Sequence, residues 1–115
     1  YHPYLNQRPL LDLTRSRGLV LIAHSPLVRG KILDDPILQE IARRRKLSVA
    51  QVALRWLVQQ ERVVAIPGVQ NVEQLRENLK VLDVTLAKDE MAAISALARG
   101  TRIVDPPHGP KWDTA

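Results

Sequence analysis

The sequence predicts an α/β chain whose parallel strands are joined by helical crossovers, a slice of a larger (β/α) barrel. Three observations carry that prediction. Leu19-Val20-Leu21-Ile22-Ala23 is an unbroken apolar run, the mark of a strand buried on both faces of a parallel sheet. Val63-Val64-Ala65-Ile66 is a second such run. Between them, residues 28–62 hold a loop and two helical patterns, which is the kind of crossover a parallel pair needs. Two parallel strands alone leave open edges and uncovered apolar faces, so the pattern points to part of a barrel.

Residues 9–17 read as a helix, with Leu10, Leu11 and Leu13 as its apolar positions and Gly18 as a left-handed stop. Ser25-Pro26 ends the first strand. Residues 28–34 read as a loop, after which Asp35 caps a helix that starts on Pro36 and turns Ile37, Leu38, Ile41 and Ala42 inward. Ser48 and Gln51 make a capping-box pattern for the next helix. Its residues Val49, Val52, Ala53, Trp56 and Leu57 keep helical spacing, which makes Trp56 a packing residue.

After the second strand comes Pro67-Gly68 and then a helix over 71–82. Asn71 is its N-cap, and Gln74 is placed to close a second capping box. Val72, Leu75, Leu79 and Leu82 form its expected buried stripe. A last helix over 88–98 carries Met91, Ile94 and Leu97 inward from a poorly capped start at Ala87. Residues 100–115, rich in proline, read as a tail loop.

The run from Val63 to Leu79 is the most informative in the chain. A strand enters a Pro-Gly turn, and a capped helix opens toward the strand's carboxyl end. Free amides and the helix dipole favour negative charge there, as in the phosphate sites of barrels and open α/β sheets. An ordinary strand-to-helix turn has the same local pattern.

Composition narrows the function classes. The 115 residues are 45% hydrophobic, with no Phe and no Cys, which fits a globular core built from aliphatic residues and excludes disulfides and thiolate metal sites. Cysteine-free composition fits a cytoplasmic location. His2, His24 and His108 lie far apart without ligand spacing, so no metal is expected. The net charge is +5 and the pI near 10.1, which raises a small nucleic-acid-binding domain as one reading. The densest cluster, Arg43-Arg44-Arg45-Lys46, falls at a helix end with no aromatic residue interleaved. It reads as a solvated helix terminus, so no nucleic-acid partner is expected. No apolar run approaches membrane-spanning length, and no membrane association is expected.

Several segments, in order, resemble the aldo-keto reductases. Tyr1-His2-Pro3-Tyr4-Leu5-Asn6-Gln7 is similar to that family's sixth-strand exit. Leu21-Ile22-Ala23-His24-Ser25-Pro26-Leu27 is similar to its seventh strand, with His24 where Tyr is usual. Ala50-Gln51-Val52-Ala53-Leu54-Arg55-Trp56 resembles its penultimate helical signature. The tail, Thr101 to Pro106 and Pro110 to Asp113, resembles the bacterial 2,5-diketo-D-gluconate reductase-like branch. The resemblance implies the C-terminal part of a (β/α)8 TIM barrel, with two parallel strands and four to five helices. Residues 1–100 would be barrel units and 101–115 a tail of one barrel domain. A complete barrel needs about 250 residues.

The implied activity is NAD(P)H-dependent reduction of a small-molecule carbonyl substrate, an aldehyde, a ketone or a keto-sugar acid, with NADPH or NADH as cofactor. The family's catalytic Asp, Tyr, Lys and His lie upstream of the matched segments. No catalytic residue is therefore assigned, and the chain alone is expected to be inactive. A truncated interaction module is the rival reading. No oligomeric state is implied.

By the same resemblance, three strand exits converge on one rim: residues 1–4, 24–27 and 67–70. His24 stands where a ring stacks on the nicotinamide, and Ser25 and Leu27 where the pyrophosphate is lined. Gly68, Val69 and Gln70 follow the last strand, and Gln74, Glu77 and Asn78 stand at adenosine-contacting positions. Many members carry Lys-Ser at the positions of Gly68 and Val69 and Arg at that of Gln74, cations that bind the 2′-phosphate of NADPH. Their absence predicts weak discrimination between NADPH and NADH. Arg76 is rotated about 200° from Gln74 on the helix and does not replace them. Trp112 in the tail is a candidate wall of the substrate pocket, whereas His2 is read as structural.

Overall fold

The structure, a computed structural model, describes residues 1–5 and 7–111. In chain order, α1 spans Arg8–Ser16, β1 Leu21–His24, α2 Pro36–Arg45, α3 Val49–Val58, β2 Val63–Ile66, α4 Val72–Leu79 and α5 Lys88–Ser95. Short 3-10 turns occupy Val28–Gly30 and Lys80–Asp83. β1 and β2 pair in parallel, with Leu21 opposite Val63 and His24 opposite Ile66. They form a two-stranded sheet among the described residues. Parallel pairing has one consequence for function: both strands leave the sheet at the same edge, β1 into Ser25 and β2 into Pro67.

Helix starts follow the local chemistry. Asp35 Oδ1 accepts from the amides of Ile37 and Leu38 at 3.0 and 3.2 Å. Ser48 and Gln51 close a full capping box, with amide-to-side-chain distances of 3.1 and 2.9 Å. The box expected at α4 is half made. Asn71 Oδ1 accepts from the Gln74 amide at 2.8 Å, but Gln74 Oε1 reaches past Asn71 and accepts from the Gln70 amide at 2.8 Å. The helix expected over 71–82 is thus α4 followed by a tighter turn, and α5 ends at Ser95 rather than at 98.

One apolar core lies between the helices and one face of the sheet. Leu38, Val52, Leu57 and Ile94 are fully buried there, with Leu21, Ala23 and Val63 from the strands. Trp56 belongs to it as expected, its indole donating to Ser95 Oγ at 3.1 Å and its ring meeting Tyr1 at 5.1 Å. The tail returns to the core through the amides of Arg99 and Thr101, which both donate to the Tyr4 carbonyl. Residues 96–111 form no helix or strand. Among the described residues, no helix is long and apolar enough to cross a membrane.

Two expectations are corrected. β1 is buried on one face only, its residues alternating buried and exposed with Ile22 62% exposed. Helices cover one side of the sheet, and nothing in the described residues covers the other. The stripe Val72, Leu75 and Leu79 on α4, with Leu82 in the turn after it, is exposed rather than buried. Leu10 and Leu13 on α1 are exposed, and Leu11 alone of the three is buried. The basic cluster, residues 43–46, is exposed at the end of α2 as expected, and one of its members also reaches a buried partner. Arg45 Nε donates to both carboxylate oxygens of the buried Glu90, at 2.9 and 3.0 Å, which joins α2 to α5. That guanidinium holds the Glu90 carboxyl below its ordinary value, against the opposing effect of burial.

Candidate functional site

The exits of β1 and β2 converge on one cleft of about 630 Å³. Ser25, Leu27 and Arg29 line one wall, and Gly68, Val69, Gln70 and Gln74 line the other. The strand register places these walls side by side, because His24 and Ile66 are partners in the last rung of the sheet. The α4 start completes the second wall. A Cβ built on Gly68 meets nothing within 4 Å, so the backbone there borders open space.

The first wall is shaped by an unusual backbone. Ser25, Val28 and Arg29 all have positive φ, at 51°, 54° and 52°, and Gly30 follows at 86°. A β-branched residue such as Val28 rarely accepts this conformation. Burial of the Val28 side chain, 1% exposed, is the compensating interaction. With Val28 anchored inward, Arg29 is exposed on the rim of the cleft. Residues 28–34 read as a plain loop in the sequence, and Arg29 was not among the residues expected at the site. Its place between Ser25-Pro26-Leu27 and Gly30 was the available signal.

His24 is the last residue of β1, exposed on the same sheet face as Ile22, Val64 and Ile66. Its Nδ1 lies 3.0 Å from Ser25 Oγ. In a closed barrel the helices cover the outside, so this face would be the interior. His24 therefore stands at the mouth, beside the cleft rather than within its lining.

Gln74 lines the cleft, but Glu77 and Asn78 do not. The Glu77 carboxylate takes bonds from Lys80 Nζ and from Gln51 Nε2, at 2.5 and 3.2 Å. Asn78 borders a separate apolar groove with Leu54, Ala65 and Leu79. One helical turn carries α4 about 5 Å away from the rim, enough to separate these residues.

The first strand exit, residues 1–4, does not reach the rim. Tyr1 bonds Gln60 Oε1 at 2.9 Å, and Tyr4 bonds the buried Asp35 Oδ2 at 2.8 Å. Arg99 lies 3.8 Å over the Tyr4 ring. Two of the three expected clusters thus meet, and the third is packed into the core. His2 is buried, and neither ring nitrogen has a hydrogen-bond partner among the described residues. Desolvation, aided by the amino terminus and Arg102, lowers its pKa to about 4. Trp112, the candidate substrate-pocket residue, lies outside the described residues.

The donor set of the cleft suits an anion with a polar extension: a hydroxyl, a guanidinium, a bare glycine backbone and a side-chain amide. Ser25, Leu27, Arg29, Gly68, Val69 and Gln74 are the residues that supply it.

A family profile described as the aldo/keto reductase family matches residues 1–99. An aldo/keto reductase of Synechocystis sp. is 40% identical over 115 residues, covering 90% of this chain and 35% of the relative. The glyoxal reductase of Bacillus subtilis is 39% identical over 103 residues, covering 90% of this chain and 37% of its own length. The crystal structure of a "putative 2,5-diketo-D-gluconic acid reductase B" superposes with a TM-score of 0.93 at 43% identity, over 98% of this chain and 41% of that one. A variant of Gox0644 in complex with NADPH superposes with a TM-score of 0.80 at 32% identity, over 86% and 36%. The chain spans about a third of the length of the curated relatives it matches.

Proposed function

Because the chain belongs to the aldo/keto reductase family, we propose that it forms the dinucleotide-holding part of an NAD(P)H-dependent carbonyl reductase. Aldehydes and ketones are the substrate class, keto-sugar acids among them. The nicotinamide cofactor supplies the hydride when bound. This chain's residues would grip and orient it: Ser25 and Leu27 from one strand exit, Gly68, Val69 and Gln74 from the other, with His24 at the mouth. The Asp, Tyr, Lys and His of the reacting centre are to be sought in other residues.

The observation that carries the reading is the meeting of Ser25, Leu27, Gly68 and Gln74 in one cleft at the carboxyl edge of a parallel sheet. Ligands of barrel enzymes bind at that edge. The kinship with a NADPH-complexed structure supports it further.

Titration of the protein with NADPH and NADH, followed by intrinsic tryptophan fluorescence and by calorimetry, tests the reading. Saturable one-to-one binding of either dinucleotide supports it. A cooperatively folded protein that binds neither would overturn it. The uncovered apolar sheet face favours one other reading, an interaction module without cofactor, and that module would show no dinucleotide binding in the same experiment.

A further inference from the structure

We infer that Gln51, Arg55 and Gln59 are positioning residues that set the pose of α4, and through it the second wall of the cleft. The inference rests on the dinucleotide reading and adds to it what holds that wall in place. The three residues are spaced four apart along α3 and its C-cap, so they share one helix face. Each reaches across to the backbone of the segment that follows β2. Gln51 Nε2 donates to the Glu77 carbonyl at 2.9 Å, and Arg55 Nη1 to the Val81 carbonyl at 3.3 Å. Gln59 holds Leu86 twice, its Nε2 donating to the carbonyl and its Oε1 accepting from the amide, each at 2.8 Å. Arg55 Nε donates to the same Gln59 Oε1 at 2.9 Å, which ties two rungs of the seam together.

Apolar packing among the described residues does not fix α4. None of its eight residues is buried, and an open groove of about 270 Å³ lies between Leu54 and Val58 of α3 and Leu75 and Leu79 of α4. The apolar anchors stand beyond the helix, at Val81 and Leu86. Gln51 therefore grips α4 itself, while Arg55 and Gln59 hold its continuation. A donor at a carbonyl near a helix C-terminus satisfies an acceptor that the helix leaves free, and it fixes the backbone rather than one side chain. Gln74, which lines the cleft, stands on the first turn of the same helix, about 4.5 Å along the axis from Glu77. No residue of α3 lines the cleft, so the seam acts on the wall only through α4.

The test compares the protein with its Gln51→Glu, Arg55→Leu and Arg55→Lys variants. Amide-resolved hydrogen exchange and calorimetric dissociation constants for NADPH and NADH are the two readouts. Gln51→Glu keeps the acceptor for the Ser48 amide, so the α3 start stays capped. It removes the donor to the Glu77 carbonyl and sets a carboxylate against that of Glu77, whose Oε2 is 3.2 Å from Gln51 Nε2. In Gln51→Glu and Arg55→Leu the α4 amides are expected to exchange about tenfold faster, with those of α2 changed by less than about twofold. Both dinucleotides should bind about three- to tenfold more weakly. Arg55→Lys keeps a donor for the Val81 carbonyl and should recover part of both losses. Should one of the two cutting variants fail to fold, the other carries the test. Equal acceleration in every helix marks a merely structural role and overturns the inference, as does unchanged exchange in α4. Faster exchange in α4 with dinucleotide binding within about twofold of the parent overturns the positioning role and leaves the dinucleotide reading standing. A parent protein that binds neither dinucleotide overturns both.

Discussion

Replacing Gly68 by Lys should raise the preference of the proposed dinucleotide cleft for NADPH. The structure permits the change. A Cβ at position 68 meets nothing within 4 Å, and Gly68, unlike Gly18, Gly30 and Gly100, does not have a positive φ. An L residue is therefore accommodated without backbone strain. A lysine ammonium about 4 Å from a phosphate gains about 1 kcal/mol in bulk water and about 4 kcal/mol at an effective dielectric of 20. The pair would lie at the protein surface, where the effective dielectric is nearer 20, and ordering the lysine stem offsets about 2 kcal/mol. The expected net gain is about 1–2 kcal/mol, a five- to thirtyfold tighter NADPH complex. NADH lacks the 2′-phosphate and should change by less than about twofold. Calorimetric dissociation constants for both dinucleotides at two salt concentrations check the argument, because the gain must shrink as salt rises. An equal gain for NADH, or none for NADPH, would refute the placement of Gly68 beside the 2′-phosphate.

Three further outcomes follow from the packing. Gln51 is 5% exposed and holds both the Ser48 amide and the Glu77 carbonyl, so Gln51→Ala should cost about 2 kcal/mol and Ser48→Ala about 1 kcal/mol, read from urea unfolding. Leu57 is fully buried, and Leu57→Ala should lower stability by about 2–5 kcal/mol in the same assay. His2 is neutral in the fold down to pH about 4, whereas in the unfolded chain it takes up its proton near the ordinary histidine value of 6.5. Its contribution is thus complete above pH 6.5 and lost as pH falls toward 4, at most about 3 kcal/mol. The Glu90 carboxyl, held low by Arg45, adds stability that is full above its ordinary value and lost as pH falls through its lowered one. Melting curves across this range, with His2→Gln as the flattened control, separate the two.

Much of the fold was legible because it is written locally. Asp35-Pro36, Ser48 with Gln51, and Asn71 set helix starts through side chains within three residues of the amides they satisfy, and all three starts stand where expected. The apolar runs at Leu21 and Val63 located both strands for the same reason: a strand's identity lies in its own residues. What was not legible depends on partners distant in sequence. Val72, Leu75, Leu79 and Leu82 have helical spacing, and spacing announces a face that seeks cover without saying whether these residues provide it. The pairing of Arg45 with Glu90 is likewise invisible in a basic cluster, because its partner is 45 residues away.

The site divides along the same line. Ser25, Leu27, Gly68 and Gln74 could be assembled from sequence, since parallel pairing obliges consecutive strand exits to share an edge. Arg29 could not, because its position depends on Val28 accepting a backbone that its own side chain disfavours, and only the buried pocket around Val28 makes that conformation favourable. Glu77 and Asn78 lie farther along α4, outside the lining of the cleft. Helical periodicity put Asn78 beside Gln74, but periodicity describes rotation about the axis and ignores the rise along it. Over the four residues from Gln74 to Asn78 that rise is about 6 Å. The reach of a ligand along α4, as well as the face of the helix, therefore decides whether Glu77 and Asn78 take part.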